Sequence, residues 1–407
     1  MRSFKTYLST YAPALLVLAM LCIALGPTMK SIGISIAAAG ILLSPQYRPD
    51  LRFIFTQPIT WMIIALCGIS ILGCIWSIAS PAQQISMVEK YCKLLYLPLF
   101  AAGFTHKKIR HYAIHAYLLG ICITCSVSLY CVHSDPGSVF YNHIITGYMV
   151  AFAAYLAAWL AISTQNRWYK MGYAILILIY TSQLLFLNTG RTGIIVYAML
   201  FLLFFLQNMS SKPLLYVILS LAIGFVVLIQ FIPSNKLMQR AHMGFQDMRN
   251  YQLGQKNSSV GFRLQFHHYA KQLFLSKPFM GYGTGSFTPQ YFKDNPIPEW
   301  DQPKPDPHSQ YWLTASELGL LGILVLFLIL GWLSKLSFEL QEMKPILQAV
   351  LLPFCVVNYS DGLLTTSGIG YLFITFTGLC LGELIELKRN HASRYNCLMP
   401  RYQEPCA

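Results

Sequence analysis

Charged residues are scarce in this sequence, and acidic residues are the scarcer of the two signs. Of the 407 residues, 11% are charged and 55% are hydrophobic, with 15 Asp and Glu against 29 Lys and Arg. An average soluble domain is about 25% charged. The deficit argues against a water-soluble globular protein and indicates a polytopic membrane protein.

Several motifs of nucleotide-binding, metal-binding and transport proteins are also missing. The sequence has no P-loop, no HExxH motif and no Cys/His cluster with zinc spacing among its 11 cysteines. The apolar segments are nearly free of Asp and Glu, which counts against proton- or ion-coupled transport. The net charge of +14 is carried at the ends of apolar segments rather than in one patch, which argues against nucleic acid as a partner.

Apolar segments long enough to cross a bilayer, about 17 to 25 residues, recur along the chain. Twelve candidate spans result, of which the fourth and eleventh are short: 10–26, 29–45, 59–79, 92–105, 112–131, 144–164, 170–187, 192–208, 213–232, 310–334, 345–360 and 366–387. We therefore predict an all-α polytopic membrane protein with about 12 transmembrane helices. Residues 1–232 would hold helices 1 to 9, 233–309 a large polar loop, 310–387 helices 10 to 12, and 388–407 a tail.

Basic residues in the short connections give the predicted orientation. With both termini in the cytoplasm, the inside connections and termini carry sixteen Lys and Arg. The outside connections carry only Lys30, Lys90, Lys93 and Arg191. This asymmetry follows the positive-inside rule and places the large loop on the outer face, since long loops are exempt from the rule.

The large loop is the main polar segment of the chain. It carries nine Lys and Arg against five Asp and Glu, a balance that favours an anionic ligand. Residues 260–275 have helical spacing, with aromatic and leucine residues on one side and Arg263, His267 and Lys271 on the other. We expect an amphipathic helix there, followed by a glycine-rich turn over 277–287.

Two arginines and a histidine are the main candidates for chemistry. Arg191 lies between Gly190 and Gly193, which would let a ligand approach the backbone, and a guanidinium suits bidentate binding of phosphate. Arg263 lies on the polar side of the loop helix. His308 ends the loop, where a group that titrates near neutral pH could accept a proton. The simpler alternatives are an interfacial anchor, a solvated charge and an interfacial polar residue, respectively.

Three further residues are candidates for substrate binding. Lys90 and Lys93 are expected in a short outer connection, against the charge rule, where they could bind an anionic head group. A local pair with Glu89 would explain one of them. His143, at the start of a span, is a weaker candidate of the same kind.

Three motifs in order around the loop resemble the O-antigen ligase family, bacterial membrane glycosyltransferases that also include O-antigen polymerases and O-linking oligosaccharyltransferases. They are Thr-Gly-Arg-Thr-Gly at 189–193, Arg263 followed by Lys-Pro-Phe-Met-Gly-Tyr-Gly-Thr-Gly-Ser-Phe at 277–287, and Pro-His-Ser-Gln-Tyr-Trp-Leu at 307–313 with Glu317-Leu-Gly-Leu-Leu-Gly after it. The motifs do not separate the branches. The length, without a C-terminal soluble extension, looks more like the lipopolysaccharide ligase, and polymerases remain close.

The resemblance implies a reaction in the bacterial inner membrane, with the site on the periplasmic face. A glycan on undecaprenyl diphosphate would be transferred, with inversion, to a sugar hydroxyl of lipid A–core, without a metal or other cofactor. Arg191 and Arg263 would stabilise the diphosphate and His308 would act as the base, with Lys90, Lys93 and His143 as binding residues. An O-antigen polymerase is the first alternative, and a transporter of lipid-linked glycan is a weaker one.

Overall fold

The computed structural model describes residues 2–131, 139–188, 190–208, 246–247, 249–300 and 305–398, with side chains described from residue 10 to residue 390 within those ranges. The predicted span 213–232, most of residues 233–248, Thr189 and residues 399–407 lie outside the described residues. Within the described ranges every regular element is helical. The predicted all-α class is confirmed.

The helices follow one another with short connections. Their bounds are α1 Arg2–Ala24, α2 Pro27–Leu43, α3 Arg48–Phe55, α4 Pro58–Leu72, α5 Pro81–Cys92, α6 Tyr96–Gly103, α7 Lys107–Tyr130, α8 His143–Ser163, α9 Arg167–Ser182, α10 Arg191–Gln207, α11 Ser259–Ser276, α12 Phe287–Asp294, α13 Gln310–Ser337, α14 Lys344–Val357 and α15 Ser367–Leu398. Three-residue 3₁₀ turns precede α3 and α6, and a π-helical turn, Gln183–Leu187, follows α9.

Five described helices are long and apolar enough to cross a membrane, namely those at Lys107–Tyr130, His143–Ser163, Arg167–Leu187, Gln310–Ser337 and Ser367–Asn390. The pair Pro27–Leu43 and Pro45–Phe55, bent by 76°, could be a sixth. Shorter apolar helices are Thr10–Ala24, Pro58–Leu72, Arg191–Gln207 and Lys344–Val357. The chain is therefore a multi-pass membrane protein, while the count of twelve stays a prediction.

Two predicted boundaries differ from the structure. The segment 92–105 is a 3₁₀ turn followed by the eight-residue α6, and eight residues span only about 12 Å, well short of a bilayer of about 30 Å. The last helix, α15, continues to Leu398, so no helix ends at 387. Hydropathy marks where a segment is apolar, but it does not register where a helix breaks or continues into water.

Helices α8 and α15 form the centre of the bundle. In their most apolar stretches 83% and 94% of residues are buried, against 17% in the α9 region. α8 and α10 approach closely because Gly147 and Gly193 face each other, and a Cβ added at Gly193 would lie 2.7 Å from the Gly147 Cα. Ile145 near the start of α8 contacts Gly368 near the start of α15. The starts of α8, α10, α13 and α15 therefore lie at one end of the bundle, which we call the first end.

Charged side chains connect the helices at the opposite end. Glu342 pairs with Lys107 at 3.1 Å and with His111 at 2.8 Å, ahead of α14. The Glu383 carboxylate of α15 accepts the backbone N–H groups of residues 341, 342 and 343. It thereby satisfies donors that the start of α14 would leave unpaired.

The loop helix α11 has the predicted amphipathic form. Its apolar side, with Phe266, Tyr269 and Leu273, packs in a second small core with Phe287, Tyr291 and Leu313. The polar side carries Arg263 and His267, as the sequence spacing indicates. α11 therefore lies on α13 and brings these two side chains to the first end.

The glycine-rich turn fills a break in α13 at Gly319, whose φ is 63°. The break exposes the carbonyl groups of Ser316 and Glu317, and these accept the N–H groups of Tyr282 (3.0 Å) and Gly283 (2.8 Å). The buried Glu317 carboxylate accepts the N–H of Phe287 at 3.2 Å. The turn and α13 are thus one hydrogen-bonded unit, which fixes the end of α11 relative to the residues around His308.

Candidate functional site

His308 occupies a backbone conformation that L residues rarely adopt. Its φ is 48°, and among the described non-glycine residues only Asn295 also has a positive φ. Two bonds hold the residue: its N–H donates to Asp306 Oδ1 at 2.7 Å, and its carbonyl lies 3.3 Å from His267 Nε2. Ser309 then caps α13 by accepting the N–H of Trp312. Strain of this kind is found where a side chain must be aimed, which here is the His308 imidazole.

Asp361 lies between His308 and Arg263. Its Oδ1 is 3.8 Å from His308 Nδ1 and 4.0 Å from Arg263 Nη2. The Asp361 side chain is 13% exposed, whereas Arg263 and His308 are 32% and 30% exposed. The structure therefore brings together two of the three expected catalytic residues, and adds a carboxylate that the sequence reasoning did not identify.

The connection between α14 and α15 that carries Asp361 is held by amide side chains. Gln310 N–H donates to the Asn358 carbonyl at 2.9 Å, and the Asn358 Oδ1 accepts the N–H of Leu363 at 2.9 Å. Gln310 Oε1 accepts the N–H of Thr365 at 3.1 Å. Because Gln310 is two residues from His308, these bonds fix the carboxylate relative to the imidazole. The signal that could have revealed Asp361 is an acidic residue directly after a predicted span.

His267 supports His308 from α11. Its ring packs edge-on against Tyr359, with centroids 5.4 Å apart, and its Nε2 lies beside the His308 carbonyl. Burial lowers the pKa of His267, and the charges of His308 and Arg263 lower it further, although the bond to the His308 carbonyl opposes this. A neutral His267 with its proton on Nε2 donates to that carbonyl, which makes it a positioning residue for His308.

Arg191 and His143 form a second neighbourhood at the first end. Asn188 Nδ2 donates to the His143 carbonyl at 2.9 Å, and Asn188 Oδ1 accepts the Gly190 N–H at 2.7 Å. Arg191 itself is exposed at the start of α10, directly after the π-helical turn. Within the described residues, no recorded ion pair or hydrogen bond joins Arg191 to Arg263 or His308.

The glycines beside Arg191 differ from expectation. A Cβ at Gly190 would lie 2.9 Å from the His143 carbonyl oxygen, and Gly193 packs on Gly147. The space beside both glycines is filled by α8 rather than open to a ligand. Their role in the structure is close helix packing, which sets the position of Arg191.

Lys90 and Lys93 lie on regular structure rather than in a loop. Lys90 is in the last turn of α5, and Lys93 starts the 3₁₀ turn before α6. Lys93 is only 6% exposed and donates to the Thr366 carbonyl at 3.1 Å. It therefore contacts the end of the connection that carries Asp361. Lys30, fully buried, contacts Ser367 from α2.

The cluster contains the groups that a proton transfer beside an anion requires. A histidine 3.8 Å from a carboxylate can accept a proton, since the carboxylate stabilises the resulting imidazolium. Arg263 can bind phosphate oxygens through its remaining donors. In the described part of the chain, no three His, Cys, Asp or Glu side chains cluster as metal ligands would.

Comparison with known proteins places this geometry. Residues 176–327 match the family model described as O-antigen ligase. No curated protein matches the chain. The matched segment contains Arg191, Arg263 and His308, while Asp361 and the lysines lie outside it. The resemblance of this chain to the O-antigen ligase family, drawn from its motifs, is thus confirmed over that segment.

Proposed function

We propose that this protein is a membrane glycosyltransferase that transfers a glycan from undecaprenyl diphosphate to a sugar hydroxyl of lipid A–core on the periplasmic face of the bacterial inner membrane. The family match supports glycan transfer of the ligase or polymerase type. The observation that carries the finer proposal is the convergence of Arg263 and His308 on Asp361.

His308 acts as the general base. As the acceptor hydroxyl oxygen forms its bond to the anomeric carbon, the hydroxyl proton passes to the imidazole. The bond between that carbon and the diphosphate oxygen breaks, and the polyprenyl diphosphate leaves with the electron pair. A single displacement of this kind inverts the anomeric centre, and the donor is already activated, so no nucleotide is consumed.

Asp361 orients the imidazole and stabilises it once it is protonated. The separation of 3.8 Å is longer than a hydrogen bond. Catalytic contacts are often long before substrate binds and shorten in the complex. Asp361 Oδ2 is buried and makes no hydrogen bond among the described residues, so the carboxylate has a free acceptor for such a contact.

The arginines neutralise the leaving group. Arg263 stands beside the base, where a phosphate that accepts from it would lie within the site. Arg191, exposed at the N-terminus of α10, would bind the second phosphate, where the helix dipole also favours an anion. His143 and Lys90 lie beside this surface and are proposed to contact the donor at its edge.

A deletion strain separates ligase from polymerase. Lipopolysaccharide gels should show full-length lipid-linked O-antigen beside bare lipid A–core if the protein is a ligase. Lipopolysaccharide carrying a single repeat would instead identify a polymerase. Complementation with His308→Ala should restore neither, at normal protein level in the membrane. Undiminished transfer by that variant would remove His308 from the mechanism.

A further inference from the structure

Two ammonium groups lie side by side inside the protein at the first end. Lys30 of α2 is fully buried and Lys93 is 6% exposed. Their Nζ atoms lie 4.5 Å and 5.3 Å from the centroid of the same ring, that of Tyr371 on α15. The two side chains come from different helices, so their approach is a product of the fold rather than of sequence proximity.

The partners of both amines are uncharged. Lys30 Nζ donates to the carbonyl and hydroxyl of Ser367, and Lys93 Nζ donates to the carbonyl of Thr366. The ion pairs of the described residues include none to either lysine. A buried charge without an opposite charge is unfavourable, and two of the same sign repel each other. An anion between them would relieve both effects.

A groove of about 670 Å³ leads to Lys93 and Tyr371. Its walls are mainly apolar and small, including Ala38 and Leu42 of α2 and Leu99 of α6. Leu42 and the neighbouring Leu43 are more than half exposed on the outer surface of the bundle. In a multi-pass membrane protein such a surface faces lipid, so the groove is open towards acyl chains. Glu89 also lines it but forms no ion pair with Lys93.

We infer that this groove binds an anionic membrane phospholipid, with its phosphate on Lys30 and Lys93 and an acyl chain along α2 and α6. Charge complementarity selects the phosphate, and the apolar walls select a lipid over a free anion. The site is separate from the Arg263–His308–Asp361 cluster. The lysines hold residues 366 and 367, at the far end of the connection that begins at Asp361, so the bound lipid supports that connection from behind.

Native mass spectrometry of the full-length protein in detergent tests the site. Phosphatidylglycerol should be retained in preference to phosphatidylcholine with the same acyl chains. Lys93→Gln should weaken phosphatidylglycerol binding about tenfold, because one charged hydrogen bond is lost, and Lys30→Gln with Lys93→Gln should abolish the preference. Lys335→Gln is the matched control: Lys335 also lies over an aromatic ring, 4.7 Å from Trp332, but is exposed and away from the groove.

Lys93→Arg keeps the charge, and we expect it to keep the preference for phosphatidylglycerol. This variant remains informative if the glutamine variants unfold, which thermal melting in detergent reveals. Phosphatidylglycerol binding by folded Lys93→Gln at the wild-type level would overturn the proposal, as would loss of the preference in folded Lys93→Arg. Stoichiometric displacement of phosphatidylglycerol by undecaprenyl diphosphate would show that the groove belongs to the glycan donor. None of these readouts depends on glycan transfer, so they stand apart from the proposed activity.

Discussion

Asp361 gives His308 the environment that a base requires. The imidazole is held at a positive φ by two backbone bonds, and the carboxylate lies on its Nδ1 side. A proton taken up on Nε2 would leave an imidazolium facing Asp361. The carboxylate therefore matters after the proton has moved, and its removal should affect the transfer step more than substrate binding.

Asp361→Asn should lower the rate of glycan transfer by about 10²- to 10⁴-fold, the range expected when general base catalysis is lost. The amide keeps the shape of the side chain but cannot stabilise the imidazolium. The measurement is transfer rate at saturating lipid-linked donor, with the protein level checked in membranes. Glu299→Gln, which neutralises an exposed loop carboxylate, is the control and should transfer normally. A change in KM alone would contradict the role assigned to Asp361.

Arg263→Lys tests whether a guanidinium is needed. A lysine keeps the charge but cannot form two parallel bonds to phosphate, so the transfer rate should fall by about tenfold, or about 1.4 kcal/mol. Arg263→Gln should fall further because the charge is lost as well. Transfer by Arg263→Lys at the wild-type rate would mean that charge alone is sufficient. The same pair of substitutions at Arg191 would show whether its exposed guanidinium acts in the same way.

At the scale of elements, the glycine-rich turn and the break in α13 depend on each other. Gly281 has φ 65°, and a Cβ there would lie 2.5 Å from the Glu317 carbonyl oxygen. Gly319 has φ 63°, and its Cβ would lie 2.4 Å from the Phe279 carbonyl oxygen. Both positions combine a left-handed backbone with close contact to other backbone, which only glycine tolerates. The motif residues around 281 and 319 are thus explained by folding rather than by ligand contact.

Gly281→Ala should lower the thermal unfolding temperature in detergent and reduce the yield of folded protein. The strain costs more than about 1 kcal/mol, since the added methyl group meets backbone that cannot move aside. Gly331→Ala is the control in the same helix α13, because a Cβ there meets no atom within 4 Å. That variant should be as stable as the wild type or slightly more stable. Equal melting of both variants would contradict the tight fit.

Periodicity and punctuation predicted these elements only where the signals are local. The spacing of Phe266, Tyr269 and Leu273 predicted α11, and it also placed Arg263 on the polar side. The start of α5 had a comparable signal in Ser80 and Gln83, which form a capping box, but the lysines after it were interpreted as a loop. Asp361 and Lys30 could not be assigned in this way, because their partners come from distant helices.

At the scale of the whole molecule, polar interactions are separated between the two ends of the bundle. The candidate site and both buried lysines lie at the first end, whereas the pairs of Glu342 and the carboxylate of Glu383 lie at the opposite end. Residues 107 and 110, which the charge rule assigned to the cytoplasm, are at that opposite end. The arrangement is compatible with the predicted orientation, in which the site faces the periplasm.

The opposite end should give the folded protein a pH dependence in acid. Hydrogen bonds and charges from His111 and Lys107 lower the pKa of Glu342 from 4.5 to about 2. A carboxyl group with a lowered folded pKa stabilises the fold above its unfolded pKa, and this contribution is lost as the pH falls through the folded value. Glu342→Gln should therefore melt about 2 to 4 °C below the wild type at pH 7, and the difference should shrink between about pH 5 and pH 2. Glu339→Gln, an exposed carboxylate in the same connection, should melt like the wild type throughout. A gap between Glu342→Gln and the wild type that persists at pH 2 would show that shape rather than charge holds α7 to this connection.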